Sequence, residues 1–256
     1  MHSINFSEIG DAKRNPIGGN RVIWSSEGHT FGTDAVLLAD FSSPKTNEAA
    51  LDLCTGCGII PLLWAIVREN EGVSGVFSAH GLEIDPEGCV LFEQSAKENG
   101  YGEIITPICA DLREIAKAVP CESFDLVSCN PPYFVEGSGA PNPSERRLAA
   151  RSESMCTIDD VCRAAAFSLK YGGRFCLCHR AERIADVVCA MRKYKLEPKR
   201  LRLVQDTARK APWLILAEGK KGAKPSAVTM PALIMRNEDG SRTDELRRIY
   251  GRYGEC

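Results

Sequence analysis

Apolar and polar positions alternate along this 256-residue chain in two periods. Short apolar runs of about five residues, each closed by a polar residue, read as strands. Between them lie segments with the 3.6-residue period of helices. Ala49 to Leu53, Val76 to Ile84, Ile104 to Cys109, Phe124 to Cys129 and Arg174 to His179 are the predicted parallel strands. The helices predicted between them begin at Ile59, Asp85-Pro86 and Thr157, and one more runs from Ala181 to Tyr194. Asp85-Pro86-Glu87 supplies a cap, a first-turn proline and an N-terminal acid, and Asn99-Gly100 closes that helix. Thr157-Ile158-Asp159-Asp160 is a capping box before a helix expected to end at Gly172-Gly173.

Leu196 to Val204 and Trp213 to Glu218 complete the sheet as an antiparallel pair. Ahead of it, residues 20–31 are expected to form a hairpin, followed by a short helix capped by Thr33. The pattern predicts an α/β fold with a doubly wound, mostly parallel seven-stranded sheet, an antiparallel last pair and a small N-terminal hairpin and helix. Three regions are expected: a hairpin and helix extension over 1–48, the main domain over 49–225, and a C-terminal extension over 226–256 packed on it. Thr243 to Tyr250 is a candidate last helix.

Two strand ends carry the chemistry. Leu51-Asp52-Leu53-Cys54-Thr55-Gly56-Cys57-Gly58 is a strand, a glycine turn and a helix start. Gly56 and Gly58 let backbone approach a ligand at the helix N-terminus. A dinucleotide fingerprint is broken here, because its third glycine is replaced by Pro61. Asp52 would repel a pyrophosphate but suits a cationic ligand, and S-adenosylmethionine carries both a sulfonium and an amino group. Glu83 ends the second strand, where an acid can accept from two ribose hydroxyls. Asp111 follows the third, where it can accept from an adenine amine.

The other end is Asn130-Pro131-Pro132-Tyr133. Two prolines cannot continue a ladder, so the chain leaves the sheet stiffly at Asn130. The motif has the form [DNS]-P-P-[YFW] and resembles that of the S-adenosylmethionine-dependent amino-methyltransferases, which methylate adenine N6, guanine N2 or a glutamine amide. The chemistry accounts for the residues. The Asn130 oxygen and the Pro131 carbonyl can accept both N–H bonds of a poorly nucleophilic amine and aim its lone pair at a methyl group. Tyr133 can stack on a base, a contact worth about 1–3 kcal/mol.

More narrowly, the chain resembles the bacterial valine-tRNA adenine-37 N6-methyltransferases over nearly its whole length. Phe31-Gly32-Thr33-Asp34-Ala35-Val36-Leu37-Leu38 matches their upstream GTD-x-x-LL element, Leu51 to Ile60 their cofactor loop, and Asn130 to Tyr133 their catalytic element. The resemblance implies a Rossmann-like class I methyltransferase that uses S-adenosylmethionine and takes a tRNA as partner. It implies that Gly32 and Thr33 help cover the cofactor bound by Asp52, Thr55, Gly56, Gly58, Glu83, Asp111 and Asn130. It also implies that Arg146, Arg147 and Arg151 contact RNA phosphates, with the Lys/Arg-rich segment from Arg192 to Lys224.

Charge fits a polyanion partner. Residues 1–137 hold 8 basic against 20 acidic side chains, whereas residues 192–256 hold 16 against 8. The 12 cysteines lie mostly in apolar patterns and read as small buried hydrophobes, including the Cys54/Cys57 pair and Cys176 and Cys178 near His179. No metal site is expected. The absence of a signal h-region or an apolar run of membrane length leads to the expectation of a cytoplasmic protein without membrane association.

Competing functions separate on architecture. A glutamine-N5 methyltransferase acting on release factors shares the motif, but such proteins carry a helical domain ahead of the cofactor loop, and here 51 residues precede Asp52. A ribosomal-RNA guanine-N2 methyltransferase often has a duplicated half, and a DNA methyltransferase a base-reading domain. A non-catalytic RNA-binding protein would not need every residue of the reaction.

Overall fold

Strand ends mark where the chain turns, and the computed structural model, which describes residues 4–131 and 156–254, bears out most of them. The parallel strands are β3 (Ala49–Leu53), β4 (Ser78–Glu83), β5 (Ile105–Cys109), β6 (Phe124–Cys129) and β7 (Leu169–Arg180). β8 (Leu196–Gln205) and β9 (Leu214–Lys221) run antiparallel to each other, and β9 antiparallel to β7. The spatial order is β8-β9-β7-β6-β3-β4-β5. The predicted seven-stranded frame is thus present. Two-residue strands β10 (Val228–Thr229) and β11 (Leu233–Ile234) add in parallel to β8, making nine strands. So short a strand carries no period that a sequence could reveal.

Alternation along the strands divides the interior into two layers. Ala50, Leu126, Cys176, Cys178, Leu214 and Leu216 face one apolar cluster, and Leu51, Leu53, Val127, Phe175, Leu177 and Ala217 face the other. The first layer is covered by α1 (Thr33–Ser42), α2 (Ile59–Asn70), α3 (Pro86–Glu98) and α7 (Asp244–Gly251). The second is covered by α4 (Ile115–Ala118), α5 (Ile158–Ser168) and α6 (Ile184–Lys193). α2 is buried over most of its circumference, and its Trp64 donates to the Ala39 carbonyl of α1 at 3.2 Å. Among the described residues no helix is long and apolar enough to cross a membrane.

Three expectations need correction. The hairpin pairs β1 (Lys13–Pro16) with β2 (Val22–Ser25), through a turn in which Gly18 and Gly19 take positive φ. Downstream of β2 only the bridge Ser26–His29 forms, so 20–31 is one strand and a turn rather than two strands. Gly172-Gly173 does not end a helix. α5 stops at Ser168 and the glycines lie inside β7, where the register against β6 jumps from Phe124–Leu169 to Leu126–Arg174. Finally, Gly32 rather than Thr33 is the N-cap of α1, and Thr33 is its first helical residue.

The β3–α2 turn rests on Gly58, whose φ is +81°. A Cβ there would lie 2.2 Å from the Phe92 ring. Gly58→Ala is expected to cost about 2–4 kcal/mol, through the left-handed backbone and overpacking. Urea unfolding measures this, and an unchanged midpoint would contradict the packing described.

Candidate functional site

Strand order reverses between β3 and β6, each of which continues outward in a different direction. In open α/β sheets the crevice beyond the carboxyl ends at such a point takes ligands. Asp52 and Ser128 are directly paired there, and Gly81 lies opposite Asp52 on its other side. The Ser128 hydroxyl donates to Asp52 Oδ1 at 2.5 Å. Asp52 is 1% exposed, and its Oδ2 has no hydrogen-bond partner, nor does the buried Thr55 Oγ1. Burial pushes the Asp52 carboxyl up to about 7, with the Ser128 and Thr55 hydroxyls opposing the rise and the nearby Glu83 adding to it. A buried acid with an open acceptor is a favourable seat for a cation, which would restore its ionised form.

The glycine turn wraps around this acid. The Thr55 N–H donates to the Leu82 carbonyl and the Gly58 N–H to the Thr55 carbonyl. Gly56 has φ +57°, and its N–H donates to Glu83 Oε2 at 2.9 Å. Glu83 Oε1 accepts from the N–H groups of Ile84 and Asp85, at 2.9 and 3.0 Å. A carboxylate has about four acceptor positions, so Glu83 keeps capacity for a hydroxyl while holding the turn in shape. Asp111 is engaged as a cap. It accepts from the Arg113 N–H at 2.8 Å and pairs with the Arg113 guanidinium at 2.6 Å, which holds its carboxyl below the usual range.

Asn130 stands immediately after β6, and its side chain is gripped from two sides. Nδ2 donates to Asp34 Oδ2 at 3.1 Å, and the Cys178 thiol lies 3.0 Å from Oδ1 as donor. Pro131 is described and buried. Pro132, Tyr133, Arg146, Arg147 and Arg151 lie outside the described residues. Gly32 and Thr33 line a cavity of about 290 Å³ with Phe31, Ile59, Tyr250 and Tyr253. Asp52, Glu83 and Asn130 are not part of its wall, so the cavity does not coincide with the acid cradle.

Four residues of this site escaped sequence reasoning: Ser128, Asp34, Cys178 and His29. Ser128 could have been found as a hydroxyl inside an otherwise apolar strand. His29 packs beside the glycine turn, with Nε2 3.4 Å from Asp85 Oδ2 but outside hydrogen-bond geometry. Burial works against its charge, but Asp85, Glu83 and Glu87 outweigh burial and raise its pKa. Among the described residues the cysteines form no disulfide, and no cluster of three or more His, Cys, Asp or Glu could hold a metal.

The donor set fits a ligand with a cationic group and vicinal hydroxyls. The fold and this cradle define a Rossmann-like, S-adenosylmethionine-dependent methyltransferase. No family model matches the chain. The protein is nonetheless related to a group of tRNA-modifying enzymes. It is 28% identical over 193 residues to the tRNA1(Val) (adenine(37)-N6)-methyltransferase of Porphyromonas gingivalis, covering 73% of this chain and 72% of that one. It is 24% identical over 223 residues to the enzyme of the same name from Shewanella halifaxensis, covering 83% and 87%. Among solved structures, a predicted O-methyltransferase, Atu636 of Agrobacterium tumefaciens, superposes with a TM-score of 0.69 at 18% identity, over 87% of this chain and 98% of that one. TrmN from Thermus thermophilus gives 0.51 at 19%, over 73% and 48%. These likenesses are of fold.

The Asp52 pKa has a direct consequence for stability. A carboxyl raised in the folded state stabilises the fold while protonated, and that contribution is lost as pH rises from about 4 through about 7. Asp52→Asn carries no ionisation cost, so its stability relative to wild type is expected to improve as pH rises from about 4 and to level off above about 7. Urea midpoints across that range measure it. A pH-independent difference would show that Asp52 is not strained by burial.

Proposed function

We propose that this protein transfers a methyl group from S-adenosylmethionine to the exocyclic N6 amine of an adenine in tRNA, at position 37 of valine tRNA. The observation that carries the reading is Asn130, an amide fixed at the stiff exit of β6 beside the acid cradle. The names of the relatives supply the substrate.

In this reading the cofactor supplies an electrophilic methyl group on sulfur. Asp52 Oδ2 faces its positive end, and Thr55, Gly56 and Gly58 let backbone pack against it. Glu83 accepts from the ribose hydroxyls and Asp111 from the adenine amine. Gly32 and Thr33 cover the pocket from the α1 side. The N6 lone pair of adenine is delocalised into the ring, so the amine is a weak nucleophile. The Asn130 oxygen and the Pro131 carbonyl accept its two N–H bonds and favour a pyramidal nitrogen. Pro132 stiffens the exit and Tyr133 stacks on the base. An anticodon-loop base is already partly exposed, which lowers the cost of entry. Positioning and fixed dipoles supply most of the rate, and no strong general base is required. Arg146, Arg147, Arg151 and the basic C-terminal quarter meet phosphates, which fix register without reading sequence.

Mass spectrometry of nucleosides from purified valine tRNA, from cells with and without the protein, tests the substrate. Loss of N6-methyladenosine is expected, and unchanged tRNA would refute the assignment. With purified protein, Asn130→Ala is expected to lower methyl transfer by about 10²–10³-fold, the scale of a lost preorganised dipole. Its affinity for S-adenosylmethionine should stay within about threefold. An active variant would remove Asn130 from the chemistry.

A further inference from the structure

A primary amide has an oxygen and a nitrogen of nearly the same shape, so a catalytic asparagine is useful only if something fixes which is which. Here a carboxylate does so. Asp34 sits in the first turn of α1. Its Oδ1 accepts from the Ala35 N–H at 3.0 Å, and its Oδ2 accepts from Asn130 Nδ2 at 3.1 Å, across 96 residues of chain. A carboxylate offers no donor. The flipped amide would set the Asn130 oxygen against the Asp34 oxygens and lose the bond. On the other side the Cys178 thiol, 3.0 Å from Oδ1, donates to it in the observed orientation, although a thiol sulfur can also accept weakly from an amide N–H. The acceptor-only carboxylate of Asp34 makes the selection, and the thiol is compatible with it.

The glycine of the same turn makes room for this contact. Gly32 is in extended backbone, which any residue adopts, so its conformation does not demand glycine. Space does. A Cβ at Gly32 would lie 2.7 Å from Asp34 Oδ1. The Tyr250 hydroxyl of α7 meets Thr33 Oγ1 at 3.3 Å and ties the turn to the C-terminal helix.

We propose that Asp34 is a positioning residue for Asn130. It locks the amide with Oδ1 as the acceptor for the substrate amine, and Gly32 is small so that the Asp34 carboxylate can reach. The Gly32-Thr33-Asp34 element thereby acts on the catalytic amide and not only on the cofactor. This proposal rests on the amine-methylating reading above, and the test separates the two.

Asp34→Asn and Gly32→Ala are made in the full chain, the second displacing the carboxylate without removing it. Three quantities are read: hydrogen exchange of the Asn130 side-chain NH₂ by ¹⁵N NMR, assigned by its loss in Asn130→Ala; S-adenosylmethionine affinity by calorimetry; and kcat and KM on undermodified tRNA. Faster amide exchange in both variants and kcat down about 10–100-fold are expected, with cofactor affinity within about twofold in Asp34→Asn. Unchanged exchange, unchanged kcat, or a loss confined to cofactor affinity would overturn the proposal. If the wild-type protein methylates no tRNA, the function reading fails, and the exchange rates still decide whether Asp34 holds the amide.

Discussion

A single carboxylate, Asp52, sits where burial is expensive and the reward is a place to bind a cation. It is the penultimate residue of β3, at the reversal of strand order, with Gly81 on one side and Ser128 on the other. Gly81 leaves room that Phe92 and the Thr55 side chain take up, since a Cβ there would come within 2.6 Å of both. Ser128 donates to Asp52 Oδ1, and Oδ2 is left open. Much of the neighbourhood follows from keeping that acid dry but not saturated. The glycine turn folds over it, and Glu83 crosses from β4 to hold the turn by the Gly56 N–H.

The next position along the sheet carries the second half of the site. Ser128 and Asn130 alternate onto the same face of the chain leaving β6, and Cys176 and Cys178 follow the same alternation on β7. The acid that favours a positive ligand and the amide that favours an amine are therefore two residues apart in strand register. In the proposed reaction this spacing is what brings donor and acceptor together. Asp34 enters from α1, on the layer that also covers α2, so the N-terminal elements complete the site and do not merely decorate the sheet.

How much was legible in the sequence depended on how local each cause is. Asp85-Pro86 and Thr157 to Asp160 act within one turn, and both caps form as expected. The parallel strands and their closing residues were readable because burial on both faces leaves continuous apolar runs. Gly172-Gly173 misled because a glycine pair suits a helix end as well as a strand irregularity, and only the register of β6 decides between them. The pairing of β1 with β2 hides in a polar strand, Lys-Arg-Asn-Pro, that has no apolar alternation. The contact between Asp34 and Asn130 was out of reach because no local pattern links residues 96 apart. Asp111 was legible as both a cap and a ligand, and its bonds to Arg113 give the cap physical content while its role toward the cofactor remains a proposal.

Calorimetric titration of the full chain with S-adenosylmethionine tests the central claim most directly, run at pH 6 and pH 8 in buffers of different ionisation heat. A cation beside Asp52 favours its ionised form, so binding is expected to release protons at pH 6 and to tighten towards pH 8. Absence of binding at millimolar cofactor, or binding with no proton release and no dependence on pH, would contradict a cofactor site built around Asp52.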